Sequence, residues 1–577
     1  MRIASETPVS PPSRLFFLGA LLAALAVGAW QAWGLWEVYA ASPRLPLWDM
    51  ARHGWAGVEL LRPLERGEVL TFFDRLNRQD SWPFGFSLLL LPFLAAGSGG
   101  FASATLASTV LFALTPPLLV WAGREMDRGG AGARFLGTGA GLFAALMWAA
   151  SPLPRLFAIL VMRETAGAAL ALLALALYGR ALGRETRSAY GAAGMAALAL
   201  LLVKYNYGLL WLLGVMVHQV LRLDPAGRAG LRRLAAAWLW PWRSGRRGRI
   251  ALAVVLYLLA GCALARVNIG YAVYLLLLAG TVALVIAWRR DRDGLMARWR
   301  ALPAAPAALL ATVVLPLWVW FLSPHPIHPK AVFAFLRNRS GDQPVLSPDA
   351  LLTYPRALLA DFAPSPVLGG ALIAGALIGA VLALRRVERS GPLGALALLA
   401  LVGLGLTTLH PFKEPRFLFT VAPFVVLLGA VGLARALSPL RWPVWSALVA
   451  LLLPAAGLGM IHWTAPAPAR AASLAAGYTA ASSDPALAAV LEVIHRQARP
   501  GLRTAFLGGA NELSEALVRW WLAGQGNPQS EALVDPPNRF DAGLPPEEIR
   551  RRVSRWLGDE RPERVLALRP TSDSPLL

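Results

Sequence analysis

Apolar runs of about 17 to 22 residues recur along this chain, the length an α-helix needs to cross the hydrocarbon core of a bilayer. They fall at roughly 14–36, 101–122, 134–150, 162–182, 189–203, 205–222, 250–266, 270–288, 304–322, 366–384, 391–409, 417–434 and 443–460. An all-α polytopic membrane protein with about 13 transmembrane helices is the fold class this pattern predicts. Composition agrees: 56% of the 577 residues are hydrophobic and 15% charged, with a mean hydropathy of +0.53. A soluble chain of this size would not stay dissolved with that balance, and Leu- and Ala-rich blocks exclude low-complexity disorder. The single cysteine, Cys262, rules out an internal disulfide and a Cys-based zinc site. One further apolar piece, Pro83 to Gly97, is shorter than the rest and is expected to dip into the outer leaflet rather than cross.

The net charge of +22 follows the loops. With the N-terminus inside, the cytoplasmic loops carry net +18, the outside loops before residue 461 carry +4, and the tail after 460 carries zero. Arg232, Arg233, Arg246, Arg247 and Arg249 share one cytoplasmic loop, and Arg289, Arg290, Arg292, Arg298 and Arg300 another. The basic excess is therefore a topology signal of the positive-inside kind, and no nucleic-acid partner is expected. Counting 83–97 as a crossing would put those arginine loops outside. The first span carries a cleavage-like Val38-Tyr39-Ala40, but its apolar core is long and bears Trp30, Trp33 and Trp36 near its outer end, as a retained span would.

Mid-depth charges are nearly missing from the predicted spans, which argues against an ion-coupled transporter. The charged residues outside the cytoplasmic loops gather at the outer face, where four segments stand out. The first follows span 1: Leu47-Trp48-Asp49-Met50-Ala51-Arg52-His53-Gly54, then Glu59, Glu65, Glu68 and Asp74 to Gln79-Asp80-Ser81-Trp82-Pro83. The second is Ser151-Pro152-Leu153-Pro154-Arg155 with Met162-Arg163-Glu164. The third is the break Lys204-Tyr205-Asn206-Tyr207, and the fourth His410-Pro411-Phe412-Lys413-Glu414-Pro415-Arg416-Phe417.

In this order and sidedness the motifs resemble the GT-C glycosyltransferases, in particular the family-39-like group of protein O-mannosyltransferases and lipid A aminoarabinose transferases. The resemblance covers most of residues 14–435. It rests on the acidic residue after the first span, the Trp-Pro-rich dipping helix, a small-residue span ending in Ser-Pro before a second acidic residue, the Lys-Tyr pair and the Lys-Glu-Pro-Arg-Phe run. It implies a GT-C fold and an inverting enzyme of a bacterial inner (cytoplasmic) membrane. Such an enzyme takes a sugar from a polyprenyl-phosphate carrier at the outer face and passes it to a lipid, glycan or protein hydroxyl. Where many relatives carry Asp-Glu at the first site, this chain has Asp49-Met50, so no metal ligand set is assigned and a divalent metal stays an open alternative.

Each candidate also has an ordinary structural reading. Asp49 is the expected base, taking the acceptor's hydroxyl proton and stabilising an oxocarbenium-like transition state, against a helix N-terminal acid. His53, four residues on, would share its helical face, against an interfacial structural histidine. Glu164 is a second acidic contact, against an acid offsetting a helix dipole. Lys413 and Arg416 are expected to hold the carrier phosphate, with Glu414 pairing one of them, against interfacial snorkelling. Lys204 with Tyr205 is the next phosphate contact. The chain's only lysines, Lys204, Lys330 and Lys413, against 52 arginines, all fall outside. His325 and His328 have a crude metal-ligand spacing, but a Pro-rich loop lying on the membrane explains them better.

Residues 1–460 thus form the expected transmembrane domain, with outside loops at 37–100 and 323–365; Phe333, Phe335, Leu351, Leu352 and Tyr354 suggest that the second is a partly ordered lid. Residues 461–577 alternate expected helices near 485–498, 511–523 and 546–557 with strands at 503–507 and 564–568. That is the pattern of a small extracytoplasmic α/β domain, suited to handling the acceptor or capping the site. Gly508-Gly509 before a helix is an ordinary strand–helix turn more often than an anion site. The rival classes are a lipid-linked-sugar flippase without bond-forming chemistry and a membrane scaffold or sensor worked by the tail.

Overall fold

The computed structural model describes residues 11–41, 44–46, 48–79, 83–126, 131–223, 292–321, 347–385, 388–410 and 413–437, with isolated positions between 278 and 289. Of the C-terminal part it describes 479–481, 490–494, 496, 504–507, 515–524, 533–534 and 564–567. The expected spans at 250–266 and 443–460, most of 270–288, His325, His328 and Lys330 lie outside the described residues, as do Gly508-Gly509 and the helix near 546–557.

The apolar runs among the described residues fold as helices. α1 (Pro11–Ala41) leads through β1 (Arg44–Pro46) to α2 (Trp48–Glu65), α3 (Val69–Asn77) and α4 (Gly85–Ala96). α5 (Phe101–Met126), α6 (Ala131–Ala150), α7 (Pro152–Ala158), α8 (Arg163–Arg184), α9 (Arg187–Val203) and α10 (Tyr205–Arg222) follow. Then come α11 (Arg292–Ala301), α12 (Ala304–Leu309), a π-helical turn at Leu310–Val314, and α13 (Leu315–Phe321). α14 (Pro348–Ala360), α15 (Pro366–Leu384), α16 (Pro392–Leu409), a 3-10 turn at Pro415–Thr420 and α17 (Ala422–Leu437) complete the helical body. Among the described residues five helices are long and apolar enough to span a membrane, or six if α6 and α7 count as one broken span. α4, with 12 residues, is about 18 Å long, short of the ~30 Å hydrocarbon core.

Helix α8 is the axis of the body. Its Ala- and Gly-rich sequence lets neighbours approach closely, and 72% of its apolar window is buried. α15 and α17 use the same device: a Cβ on Gly375 or Gly432 would strike the other helix's backbone. Lipid-facing positions stay apolar, with Trp33 63% and Leu22 66% exposed on α1.

Two breaks place the polar residues. Between α6 and α7 the path turns by 66° at Ser151-Pro152, where the proline suits the first turn of α7 but could not continue α6. The last carbonyls of α7 are taken by side chains: Thr165 donates to Phe157 at 3.1 Å and Thr109 to Ala158 at 2.9 Å. Between α9 and α10 Lys204 is extended, with φ −157° and ψ 122°, so its side chain leaves the helical path.

The C-terminal part grips α2. α18 (Glu515–Gly524) lies on α2, with the Trp520 indole N–H donating to the Gly99 carbonyl at 2.7 Å and its ring edge-on to Phe101. Gly54 makes the notch for that indole, since a Cβ there would overlap the ring. Arg519 pairs with Glu59 at 3.6 Å. β2 (Thr479–Ala481) pairs antiparallel with β1, Leu45 opposite Ala480. β3 (Thr504–Leu507) is the centre of a parallel sheet, flanked by β4 (Leu533–Val534) and β5 (Arg564–Ala567).

Candidate active site

The start of α2, the start of α8, the α9–α10 break and the 3-10 turn meet at one end of the helical body. Asp49 sits in the first turn of α2, where a carboxylate complements the helix dipole. It also pairs with Arg416, whose guanidinium donates to Asp49 Oδ2 at 3.2 Å. The ordinary reading, a helix N-terminal acid, thus describes Asp49, and the Arg416 pair is a contact beyond it. Arg416 is buried in the 3-10 turn and pairs with Glu414 as well. The Glu414 carboxyl is pushed above its ordinary range by burial, an effect the Arg416 charge partly offsets.

Beside this pair lies a second one. Lys204 Nζ donates to Glu164 Oε1 at 3.2 Å, and the Tyr207 hydroxyl reaches the same oxygen at 3.3 Å. Glu164 is 1% exposed and Lys204 5%. Lys204 also lies over the rings of Tyr207 and Phe417, at 4.7 and 5.3 Å. Gly167, one turn after Glu164, leaves the space that the Tyr207 ring occupies. The second carboxylate oxygen, Oε2, is buried with no hydrogen-bond partner among the described residues. Buried Arg163 carries the next positive charge, with Asp49 and Glu164 as the carboxylates that act on it.

His53, one turn along α2 from Asp49, is buried edge-on to Phe86 at 5.9 Å. Its pKa is held well below the ordinary histidine value, first by burial and then by the charges of Arg163, Lys204, Arg416 and Arg52. It is neutral at physiological pH, and the cations that keep it so link the two ion pairs into one electrostatic neighbourhood.

The remaining sequence candidates are placed differently. Tyr205 stacks on Trp320 at 6.0 Å, with Phe84 edge-on to the same indole. Lys413 donates to the Thr408 carbonyl at the end of α16 and lies 5.7 Å from the Tyr354 ring; burial lowers its pKa. It caps a helix, whereas Arg416 enters the charged cluster. The expected lid residues Leu351, Leu352 and Tyr354 form part of α14, where Tyr354 is fully buried and the two leucines are exposed. Tyr207, Glu414 and Arg163 belong to the cluster although the sequence marked them only as neighbours of better candidates. The signal for Tyr207 was its spacing, three residues after Lys204. Among the described residues no group of three His, Cys, Asp or Glu is disposed to hold a metal ion.

No protein-family model matches the chain, and no curated protein matches it. Among solved structures it is similar to ArnT from Cupriavidus metallidurans bound to undecaprenyl phosphate, at 15% identity and TM-score 0.43, covering 88% of this chain and 73% of that one. It is also similar to the archaeal oligosaccharyltransferase AglB from Archaeoglobus fulgidus in complex with an inhibitory peptide and a dolichol-phosphate. There the identity is 15% and the TM-score 0.44, over 85% of this chain and 59% of that one. The apo Archaeoglobus fulgidus oligosaccharyltransferase gives 14% and 0.48, over 91% and 65%. The chain spans under two thirds of the two oligosaccharyltransferase chains.

Proposed function

We propose that the chain is a GT-C-type glycosyltransferase that moves a sugar from a polyprenyl-phosphate carrier to a hydroxyl of a lipid, glycan or protein. The observation that carries this reading is the Asp49–Arg416 pair standing beside the Glu164–Lys204–Tyr207 cluster. The reaction needs a base at the acceptor hydroxyl and fixed cations at the departing phosphate, within reach of one another.

In this mechanism the acceptor oxygen attacks the anomeric carbon from the face opposite the carrier, and the configuration inverts. Asp49 takes the hydroxyl proton. The bond between the anomeric carbon and the carrier oxygen breaks, and the electron pair leaves with polyprenyl phosphate. Arg416 binds that phosphate by exchanging one carboxylate partner for it, so carrier binding loosens the Asp49 pair and leaves the base free to act. Lys204 and Arg163 add positive potential, while Glu164 fixes the Lys204 ammonium and offers Oε2 to a donor in the substrate. His53, neutral and buried, supports the floor of α2. Tyr205 and Lys413 serve at the margin, toward the carrier.

The enzyme would work at the outer face of a bacterial inner membrane, with residues 461–577 as an extracytoplasmic α/β domain seated on α2. The alternation of β3, α18 and β4 and the contacts of Trp520 support that placement. The test is release of free polyprenyl phosphate by the protein in lipid nanodiscs, offered a panel of polyprenyl-phosphate sugars. Asp49→Asn is expected to lower release by roughly 10²–10⁴-fold, the usual contribution of a general base, with melting retained. Labelled lipid crossing the vesicle bilayer with no release from any donor would replace the enzyme by a flippase.

A further inference from the structure

At the end of α8 remote from Glu164, four arginines from four helices converge. Arg14 starts α1, Arg124 ends α5, Arg134 lies in the first turn of α6, and Arg180 is in the last turns of α8. Ring and backbone contacts fix the corner. The Arg124 guanidinium lies 3.9 Å from the centre of the Phe17 ring, and Phe17 is three residues, nearly one turn, after Arg14. The neighbouring Phe16 stacks on Phe135 at 4.1 Å, beside Arg134. Gly179 packs against Glu125 and Met126, which brings Arg180 to the end of α5. The charges of Arg134, Arg14 and Arg180 all bear on Arg124.

The local balance is strongly positive. Four arginines against Glu125 leave three positive charges. Crowding like charges at a helix corner is unfavourable unless an anion shares the site. The surroundings select which anion. From this corner Leu15, Leu18, Leu22 and Leu25 run along α1 as a stripe, exposed by 71%, 53%, 66% and 41%. Two acyl chains would lie along that stripe with the headgroup among the arginines. Basic pockets at helix ends favour anionic headgroups for this reason.

We propose that this corner binds the phosphodiester headgroup of an anionic membrane phospholipid, in the leaflet opposite the Asp49 cluster. The site is independent of the transferase chemistry and stands whether or not that reading holds.

Native mass spectrometry of the full-length protein, with equal phosphatidylglycerol and phosphatidylcholine in the detergent, tests it. The parent should retain phosphatidylglycerol preferentially. Arg124→Gln with Arg134→Gln should weaken that preference by roughly twenty-fivefold, each arginine near an anionic surface being worth about fivefold. Arg356→Gln, on the exposed face of α14, should leave it unchanged. A parent without preference, or a double variant that keeps it, overturns the site. So does inorganic phosphate that displaces the lipid at millimolar concentration, since the headgroup phosphate alone would then suffice. If the double variant does not fold, Arg14→Gln, at the exposed start of α1, carries the test with a loss of about fivefold.

Discussion

Helix α8 begins in a cluster of buried charges and ends, about 31 Å further on, in a network of hydrogen bonds. At the Glu164 end three carboxylates and three cations are drawn together, and one oxygen of Glu164 has no hydrogen-bond partner among the described residues. Where the other end meets α9 and α10, the polar side chains satisfy one another. The Tyr178 hydroxyl bonds the His218 ring at 2.8 Å and accepts from Gln219, while the other His218 nitrogen meets the Gly391 carbonyl at 3.1 Å. Arg222 reaches both Tyr190 and Glu185, which holds the left-handed Glu185 in place as it ends the helix. A closed network fixes the packing of α8, α9 and α10 and leaves little capacity for anything else. A charged cluster with spare capacity is costly to maintain, and that cost is explained by a ligand that completes it.

Substitutions separate the two ends. Lys204→Met should have the largest effect on stability, about 3–5 kcal/mol by denaturation in detergent, because it strands the Glu164 carboxylate in the interior. Adding Glu164→Gln should recover much of that loss. If the double variant is as unstable as Lys204→Met alone, the Glu164 end is not governed by charge and the contrast collapses. Tyr178→Phe comes next, at about 1–3 kcal/mol, with polyprenyl-phosphate release by the surviving folded protein unchanged. A large fall in turnover from this variant would tie the closed network to catalysis.

The smallest effect is on pH dependence. His53 has a folded-state pKa depressed below its unfolded value of about 6.5. Its contribution to stability is therefore full above that value and is lost as pH falls below it, while the unfolded chain takes up a proton that the folded one refuses. The melting temperature should fall between about pH 7 and pH 5.5, and His53→Leu should flatten the fall; the effect approaches 1.4 kcal/mol per pH unit. Equal slopes in the two proteins would mean that His53 is accessible to protons, and that the cluster is wetter than its burial indicates.

Much of the helical body was legible because its signals are local. Apolar length marked the described spans, Ser151-Pro152 marked the break before α7, and Lys204 marked the gap between α9 and α10. The acidic and basic candidates were legible as types at the ends of helices. Their pairing was not. Asp49 and Arg416 are 367 residues apart, and nothing in either segment says that the arginine serves Asp49 while Lys413, three residues before it, caps α16. Lys204, expected as a phosphate contact, also pairs with Glu164, 40 residues earlier, and neither segment announces that pairing. Gly54 carries no signal in the sequence, since the notch is defined only by the indole that fills it.

That notch bears on the order in which the molecule is made. Asp49 leaves the ribosome with the first hydrophobic helix, whereas Trp520 follows its hydrogen-bond partner Gly99 by 421 residues. During synthesis the segment bearing Asp49 waits without its clamp until Trp520 has been translated. A chain cut short after residue 460 would lose the contacts of α18 with α2 and of β2 with β1. The segment that bears Asp49 and the C-terminal part are in this way coupled by a single glycine and the tryptophan that fills its notch.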